Sequence, residues 1–156
     1  MAFDGITVAS IVKELNETLS GGRIYKIAQP ESDELLLTIK TNSSTKKLLI
    51  SADASLPLIY LTNYTKPSPM TAPSFCMLLR KHLQNSRITR ITQPGLERIV
   101  EIHMEHLDEL GDLRTKKLII EIMGKHSNII FTNQEGLIID SIKHVSGMVS
   151  SLREVL

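Results

Sequence analysis

RIYKIAQP (residues 23–30) and RITRITQP (residues 87–94) are the two stretches that decide the fold, because they carry Arg, Ile, Ile, Gln and Pro in register. Their surroundings repeat as well. Ahead of the first copy, Val8, Ile11, Val12, Leu15 and Leu19 recur with the spacing of one helix face. Thr7 reads as its N-cap and Gly21-Gly22 as its stop. Ahead of the second copy, Pro73 suits a first helical turn, Cys76, Leu79 and Leu83 mark an apolar face, and Asn85-Ser86 ends it. Further on, LLISADASLPLIYLT (48–62) and LIIEIMGKHSNIIFT (118–132) each read as strand, turn, strand. Runs at 34–40 and 98–106 precede them, the second alternating between two unequal faces. Pro57 belongs at a strand start or edge, since it cannot donate to a ladder.

Each half therefore reads α-β-β-β-β, over about 7–62 and about 73–132. A half of that size buries too little surface to stand alone. The expectation is an α+β domain over 1–156: a pseudo-twofold β-sandwich in which the two halves pair their sheets face to face and contribute one helix each. The linker NYTKPSPMTAP (63–73) is the longest expected loop, and LDELGDLRTK (107–116) a charged hairpin tip. Residues 146–156 read as the start of a truncated continuation.

Composition bounds the function more weakly. The chain has 156 residues, 42% hydrophobic, with 18 Lys and Arg against 17 Asp and Glu, so net charge alone gives no reason to bind nucleic acid. No apolar stretch approaches the length of a membrane span, and the first residues have no signal-peptide pattern, so a cytoplasmic protein without membrane contact is expected. Cys76 is alone and sits in an apolar helical context, as a buried structural thiol would. The five histidines show no metal-ligand spacing, and no nucleophile or phosphate-loop motif occurs. Neither a metal, a cofactor nor an enzymatic activity is expected.

Three places invite a binding role. Glu97-Arg98 follows the second Gln-Pro turn, where the first half carries Ser32 and Asp33. A solvated ion pair is the plain account of it, but a charged pair on a turn backed by a sheet is also a natural contact site. Gly124-Lys125-His126-Ser127-Asn128 concentrates donors where the first half has Ala54 to Leu58; it suits phosphate or sugar contact, or is simply a polar glycine turn. Finally, Arg80, Lys81, Arg87, Arg90 and Arg98 fall in a stretch whose one acid is Glu97, followed by an acidic run from Glu101 to Asp112. Near-neutral totals thus hide a basic segment that would suit a phosphate backbone, or form ordinary solvated faces. With six aromatics and no Trp, shape and backbone recognition of folded RNA fits better than base stacking.

MAFDGITV, GGRIYKIAQP, PSFCMLLRKHL, ITQPGLERIVEI and IEIMGKHSNIIF, in this order, resemble the N-terminal NFACT domain of bacterial fibronectin-binding protein A-like proteins, also described as RqcH, and of their eukaryotic counterpart NEMF. The resemblance implies a fold related to the N-terminal domain of formamidopyrimidine-DNA glycosylases. Those enzymes use an N-terminal Pro and a following Glu; Ala2-Phe3 stand here, so Schiff-base chemistry has no residue to perform it. The resemblance further implies a ribosome quality-control factor that binds the large ribosomal subunit carrying a stalled peptidyl-tRNA. Such factors recruit alanyl-tRNA to extend the nascent chain without a template. The family's Asp-Arg pair, implicated in tRNA handling, reads Glu97-Arg98 here, and its EMGRHSN motif appears as Glu121-Ile122-Met123-Gly124-Lys125-His126-Ser127-Asn128, with Lys125 for Arg. Lys keeps the charge and loses the planar fork. The implied tRNA contacts are Glu97, Arg98, Gly124, Lys125, His126 and Ser127, with backbone contacts from Arg80, Lys81, Arg87 and Arg90. The alternative is an anchorless surface adhesin that binds fibronectin, the activity behind the family's older name.

Overall fold

The computed structural model describes residues 4–144, and the stretch read as a continuation, 146–156, lies outside them. Helix α1 (Gly5–Leu19) leads into strands β1 (Arg23–Ala28), β2 (Glu34–Lys40), β3 (Thr45–Ser51) and β4 (Leu58–Thr62). Helix α2 (Ser74–Leu83) then leads into β5 (Arg87–Thr92), β6 (Ile99–Leu107), β7 (Leu113–Glu121) and β8 (Asn128–Thr132), and β9 (Ile138–Ser141) closes the series. The N-cap of α1 is Asp4 rather than Thr7: its Oδ1 accepts the Thr7 amide at 2.7 Å, and these bonds hold its carboxyl below the usual range. Val8, Val12, Leu15 and Leu19 form the buried stripe of α1; Phe75, Cys76, Leu79 and Leu83 form that of α2.

The strands make one antiparallel, nine-stranded sheet in the order β4-β3-β2-β1-β5-β6-β7-β8-β9. The α+β class with two helices holds, whereas the two halves expected to stay as separate sheets are joined edge to edge through β1 and β5. The reason lies in the repeat itself. Gly21 and Asn85, both with positive φ (87° and 68°), occupy equivalent places after the two helices. The Gly21 amide donates to the Ile88 carbonyl and the Asn85 amide to the Ile24 carbonyl, while the Ile24 amide meets Ser86 and the Ile88 amide meets Gly22, all at 2.7–2.9 Å. This reciprocal set satisfies edge groups that two separate sheets would leave open.

The duplication extends to irregularities. The β1–β2 ladder slips between Ile24 and Lys26, and the β5–β6 ladder between Ile88 and Arg90. A bulge of this kind inserts one residue, so isoleucines three apart can share a face. Ile24 and Ile27, and likewise Ile88 and Ile91, all enter the core. That core is one cluster fed by both halves and both helices: Leu35, Leu37 and Ile39 of β2 answer Val100, Ile102 and Met104 of β6. Each such aliphatic side chain contributes about 1.5–3 kcal/mol on full burial.

The outer faces of the halves differ. On the second half Ile99, Ile119, Ile130 and Ile138 form a small buried cluster with Met123 against it. On the first half, Glu34, Leu49 and Tyr60 stand at the places of Ile99, Ile119 and Ile130, as the matching registers show. No helix among the described residues is long and apolar enough to cross a membrane.

Candidate functional site

Strand register brings two of the singled-out segments together. Ile99 pairs with Glu121, and one residue beyond, the Ile122 amide donates to the Arg98 carbonyl at 2.9 Å. Glu97-Arg98, at the entry to β6, therefore stands beside Gly124 to Ser127, just past the exit of β7. Twenty-five residues of sequence, 99–123, separate segments that share one corner of the sheet.

Each side of the corner is braced. The Gln93 side-chain amide donates to the Glu97 carbonyl at 2.7 Å and to the Gly5 carbonyl at 2.9 Å, tying the loop to the start of α1. Gly5 must be glycine there, because a Cβ would lie 1.8 Å from the Leu96 carbonyl oxygen. Gly95 takes a positive φ of 55°, turning the chain so that Leu96, Glu97 and Arg98 are exposed. On the facing side, Gly124–His126 form a single 3-10 turn, Gly124 with φ 57°. Ser127 is buried, and its Oγ accepts the Met123 amide at 2.8 Å. Lys125 and His126 are left exposed on a turn closed at both ends.

These positions sort the expected contacts. Glu97, Arg98, Lys125 and His126 offer their side chains to solvent, and Gly124 offers backbone. Ser127 is buried, and its hydroxyl braces the turn from within. Sequence reasoning passed over Asn128 and Lys143 as braces. Asn128 Oδ1 accepts the Ile129 and Lys143 amides at 2.9 and 3.0 Å, and its Nδ2 donates to the Lys143 carbonyl at 3.0 Å, locking the segment after β9 to the corner. The Asn133–Gly136 turn, with Gly136 at φ 86°, was the available signal for β9.

The linear basic segment is dispersed by the fold. Arg80 Nε donates to the Ile27 carbonyl at 2.9 Å, so this guanidinium also holds α2 on β1. Lys81 and Arg87 line a groove of about 460 Å³ at the junction of the halves, with Arg23, His82 and His106. Arg87 pairs there with Glu105 at 2.9 Å. Arg90 lines a different groove, with His103, Lys116 and Lys117. The acidic run is matched piecewise as well: Lys117 lies 3.5 Å from Glu101, and Arg114 lies 2.9 Å from Asp108. Hence the basic stretch and the acidic stretch do not survive as two opposed patches. Exposed pairs of this kind contribute little to stability.

Burial, reinforced by neighbouring cations, pushes the pKa values of His82, His103 and His106 below the usual imidazole range. His103 is held by Thr92 Oγ1 at 2.8 Å. Cys76 is buried against the Ile27 carbonyl, and burial pushes its thiol up, away from reactivity. Among the described residues no group of three or more His, Cys, Asp or Glu is placed to hold a metal ion.

Comparison with known proteins supplies a family. The family described as the NFACT N-terminal and middle domains matches residues 4–156. The chain is 43% identical to the Rqc2 homolog RqcH of Bacillus subtilis, over 100% of this chain and 28% of that protein. Among solved structures, the N-terminal part of the fibronectin/fibrinogen-binding protein of Streptococcus suis superposes with a TM-score of 0.92 at 41% identity, over 99% of this chain and 58% of that one. The N-terminal domain of fibronectin-binding protein PavA of Streptococcus pneumoniae gives 0.89 at 44%, over 93% and 55%.

Proposed function

Because the chain belongs to the NFACT N-terminal family, we propose that it serves as the tRNA- and large-subunit-binding module of a ribosome quality-control factor. The observation that carries this reading is the corner where exposed Arg98, at the entry to β6, is held by its carbonyl two residues before the turn that exposes Lys125 and His126. Two cations on braced turns, with an exposed acid beside them, suit a folded RNA: the cations take phosphate oxygens, and the Glu97 carboxylate accepts from a ribose hydroxyl or a base amino group. Nothing about this arrangement needs a bond to be made or broken, so the module binds and positions. The chemistry of tailing, with alanyl-tRNA as the recruited substrate, is then left to the ribosome. The chain spans 28% of the length of its Bacillus relative.

The test is tRNA binding by the full-length protein across a salt series. Arg98→Ala should weaken binding about ten- to a hundredfold, the loss of one charge-assisted hydrogen bond worth about 1.5–3 kcal/mol. Affinity should fall as salt rises, because condensed counterions are released on binding. Binding that ignores both salt and Arg98 would sink the proposal.

A second reading, fibronectin binding at the cell surface, is favoured by the names of two structural neighbours. It places no demand on the corner. Fibronectin captured equally well by the wild type and by Arg98→Ala, together with tRNA binding lost in that variant, would assign the two activities to different surfaces.

A further inference from the structure

The outer face of the sheet carries one pattern that the duplication keeps on both halves. In the first half Lys26 pairs with Thr38, Thr38 with Lys47 and Lys47 with Thr62, a single row across β1 to β4. In the second half Arg90 pairs with His103, His103 with Lys117 and Lys117 with Thr132, the same row across β5 to β8. Each row sets a cation, a polar group, a second cation and a threonine at directly opposed positions, about 5 Å apart from strand to strand. The cations add no packing to the core and repel one another.

The two rows meet different surroundings. In the first half the linker crosses as a strap: Lys47 bonds to Thr65, and Lys66 Nζ reaches Glu34 Oε1 at 2.8 Å beside a groove lined by Tyr60 and Tyr64. The second row instead floors an open groove of about 350 Å³, lined by Thr89, Arg90, His103, Lys117, Asn133 and Gln134 among others. None of the described residues lining it is Asp or Glu. Among the described residues, no hydrogen bond or salt bridge engages the Arg90 guanidinium. Lys117 lies 3.5 Å from Glu101 in the next row, beyond ordinary hydrogen-bond length. Burial first, then the Arg90 charge and further the Lys117 charge, push the His103 pKa down, while Glu101 acts the other way. The cations of β5 and β7 therefore converge on the ring between them. At the rim, Asn133 Oδ1 accepts the Glu135 and Leu137 amides, both at 3.0 Å, which leaves its Nδ2 to donate elsewhere.

We infer that this groove binds a ribose-phosphate unit, with the phosphoryl oxygens between Arg90 and Lys117 and a sugar hydroxyl at Asn133 or Gln134. Arg90 offers a planar fork to two oxygens, and Lys117 a point charge. The volume suits a nucleotide-sized group better than a bare ion. Two sources share this chemistry, the backbone of an RNA and a free nucleotide. For the RNA source the site rests on the function proposed above, but on a surface apart from the corner. His103 stands five residues along β6 from Arg98, about 17 Å at the usual strand rise.

The full-length protein is titrated with tRNA over a salt series and, separately, with adenosine 5′-monophosphate. Arg90→Ala should weaken tRNA binding about three- to tenfold and flatten the slope of log affinity against log salt by about 0.9. Lys117→Gln should do likewise, and thermal unfolding checks that each variant is folded. Combined with Arg98→Ala the losses should multiply, as they do for independent contacts. If the monophosphate binds and Arg90→Ala abolishes this while tRNA is unaffected, the site stands and its source is a free nucleotide. If tRNA binding needs Arg98 yet ignores Arg90 and Lys117, and no monophosphate binds, the groove is not a phosphoryl site and the RNA reading survives. Monophosphate binding that needs Arg90, with no tRNA binding at all, does the reverse. Neither probe bound overturns both.

Discussion

The loops after β1 and β5 both begin with Gln-Pro and then part company. In the first half, the Gln29 amide donates to the Ser32 carbonyl at 3.0 Å, and a tight turn delivers the chain to Glu34. In the second half, Gln93 spans to both Glu97 and Gly5, the loop swells around Gly95, and Arg98 is presented beside Lys125. The same divergence runs down the outer faces, where one half has an open edge, an aromatic groove and a paired acid, and the other an isoleucine cluster under an added strand. Inner faces match because both must fill one core. Outer faces and loop tips are free of that requirement, so there a duplicated fold can acquire two different surfaces.

Exchanging residues between matched positions tests this asymmetry. The largest effect should come from Ile99→Glu, which gives the second half the first half's acid. Ile99 is 1% exposed and faces Glu121 across the ladder, so a carboxylate there is buried beside like charge. Urea unfolding should register a loss of about 3–5 kcal/mol, whereas the reverse exchange, Glu34→Ile, should cost about 1 kcal/mol or less. Equal costs would mean that the two outer faces are interchangeable.

Next in size is the junction. Gly22 and Ser86 are counterparts, yet a Cβ at Gly22 would meet Ile39 Cγ2 at 2.7 Å and the Leu19 carbonyl oxygen at 3.0 Å. Gly22→Ser should destabilise by about 1–3 kcal/mol through overpacking. Ser86→Gly should cost only about 0.5–1 kcal/mol, from added freedom in the unfolded chain.

A smaller effect separates the halves by pH. All five histidines follow residue 81, and His82, His103 and His106 have folded-state pKa values below the unfolded value. Between those values the unfolded chain binds more protons, so stability rises with pH and is lost as pH falls below about 6.5. Hydrogen exchange at pH 5.5 should show β5–β7 opening more readily than β2–β4, and His103→Gln should flatten the slope of stability against pH. Uniform loosening of both halves would argue that the histidines are not its source.

The smallest change should be Asn85→Gly. Asn85 matches Gly21 in its left-handed conformation, so thermal unfolding should shift by no more than about 0.5 kcal/mol in equivalent stability.

Much of the molecule was legible in the chain. The helix stripes, the Gln-Pro turns and the alternation in β6 report local periodicity, which short-range sterics and burial enforce. Glu97-Arg98 and the Gly124 turn stood out because each broke the repeat. Other features escaped. The role of Ser127 as a brace depends on which way a hydroxyl points once the 3-10 turn forms. The strand β9 depends on a partner already in place. The scattering of Arg80, Arg87 and Arg90 over different surfaces follows from α2 lying on β1 and from the bulge in β5, neither of which a charge count contains.

By itself, then, the sequence determined a duplicated α+β unit, the residues of its inner faces, and two loops unlike their counterparts. Those properties are written in spacing, and spacing acts over a few residues at a time. Only the tertiary structure decided that β1 and β5 join the halves into one sheet, and that Arg98 and Lys125 share a corner. It also decided that Lys66 reaches back to Glu34. Each of these depends on groups far apart in the chain whose hydrogen bonds or charges find no partner until the strands are in register.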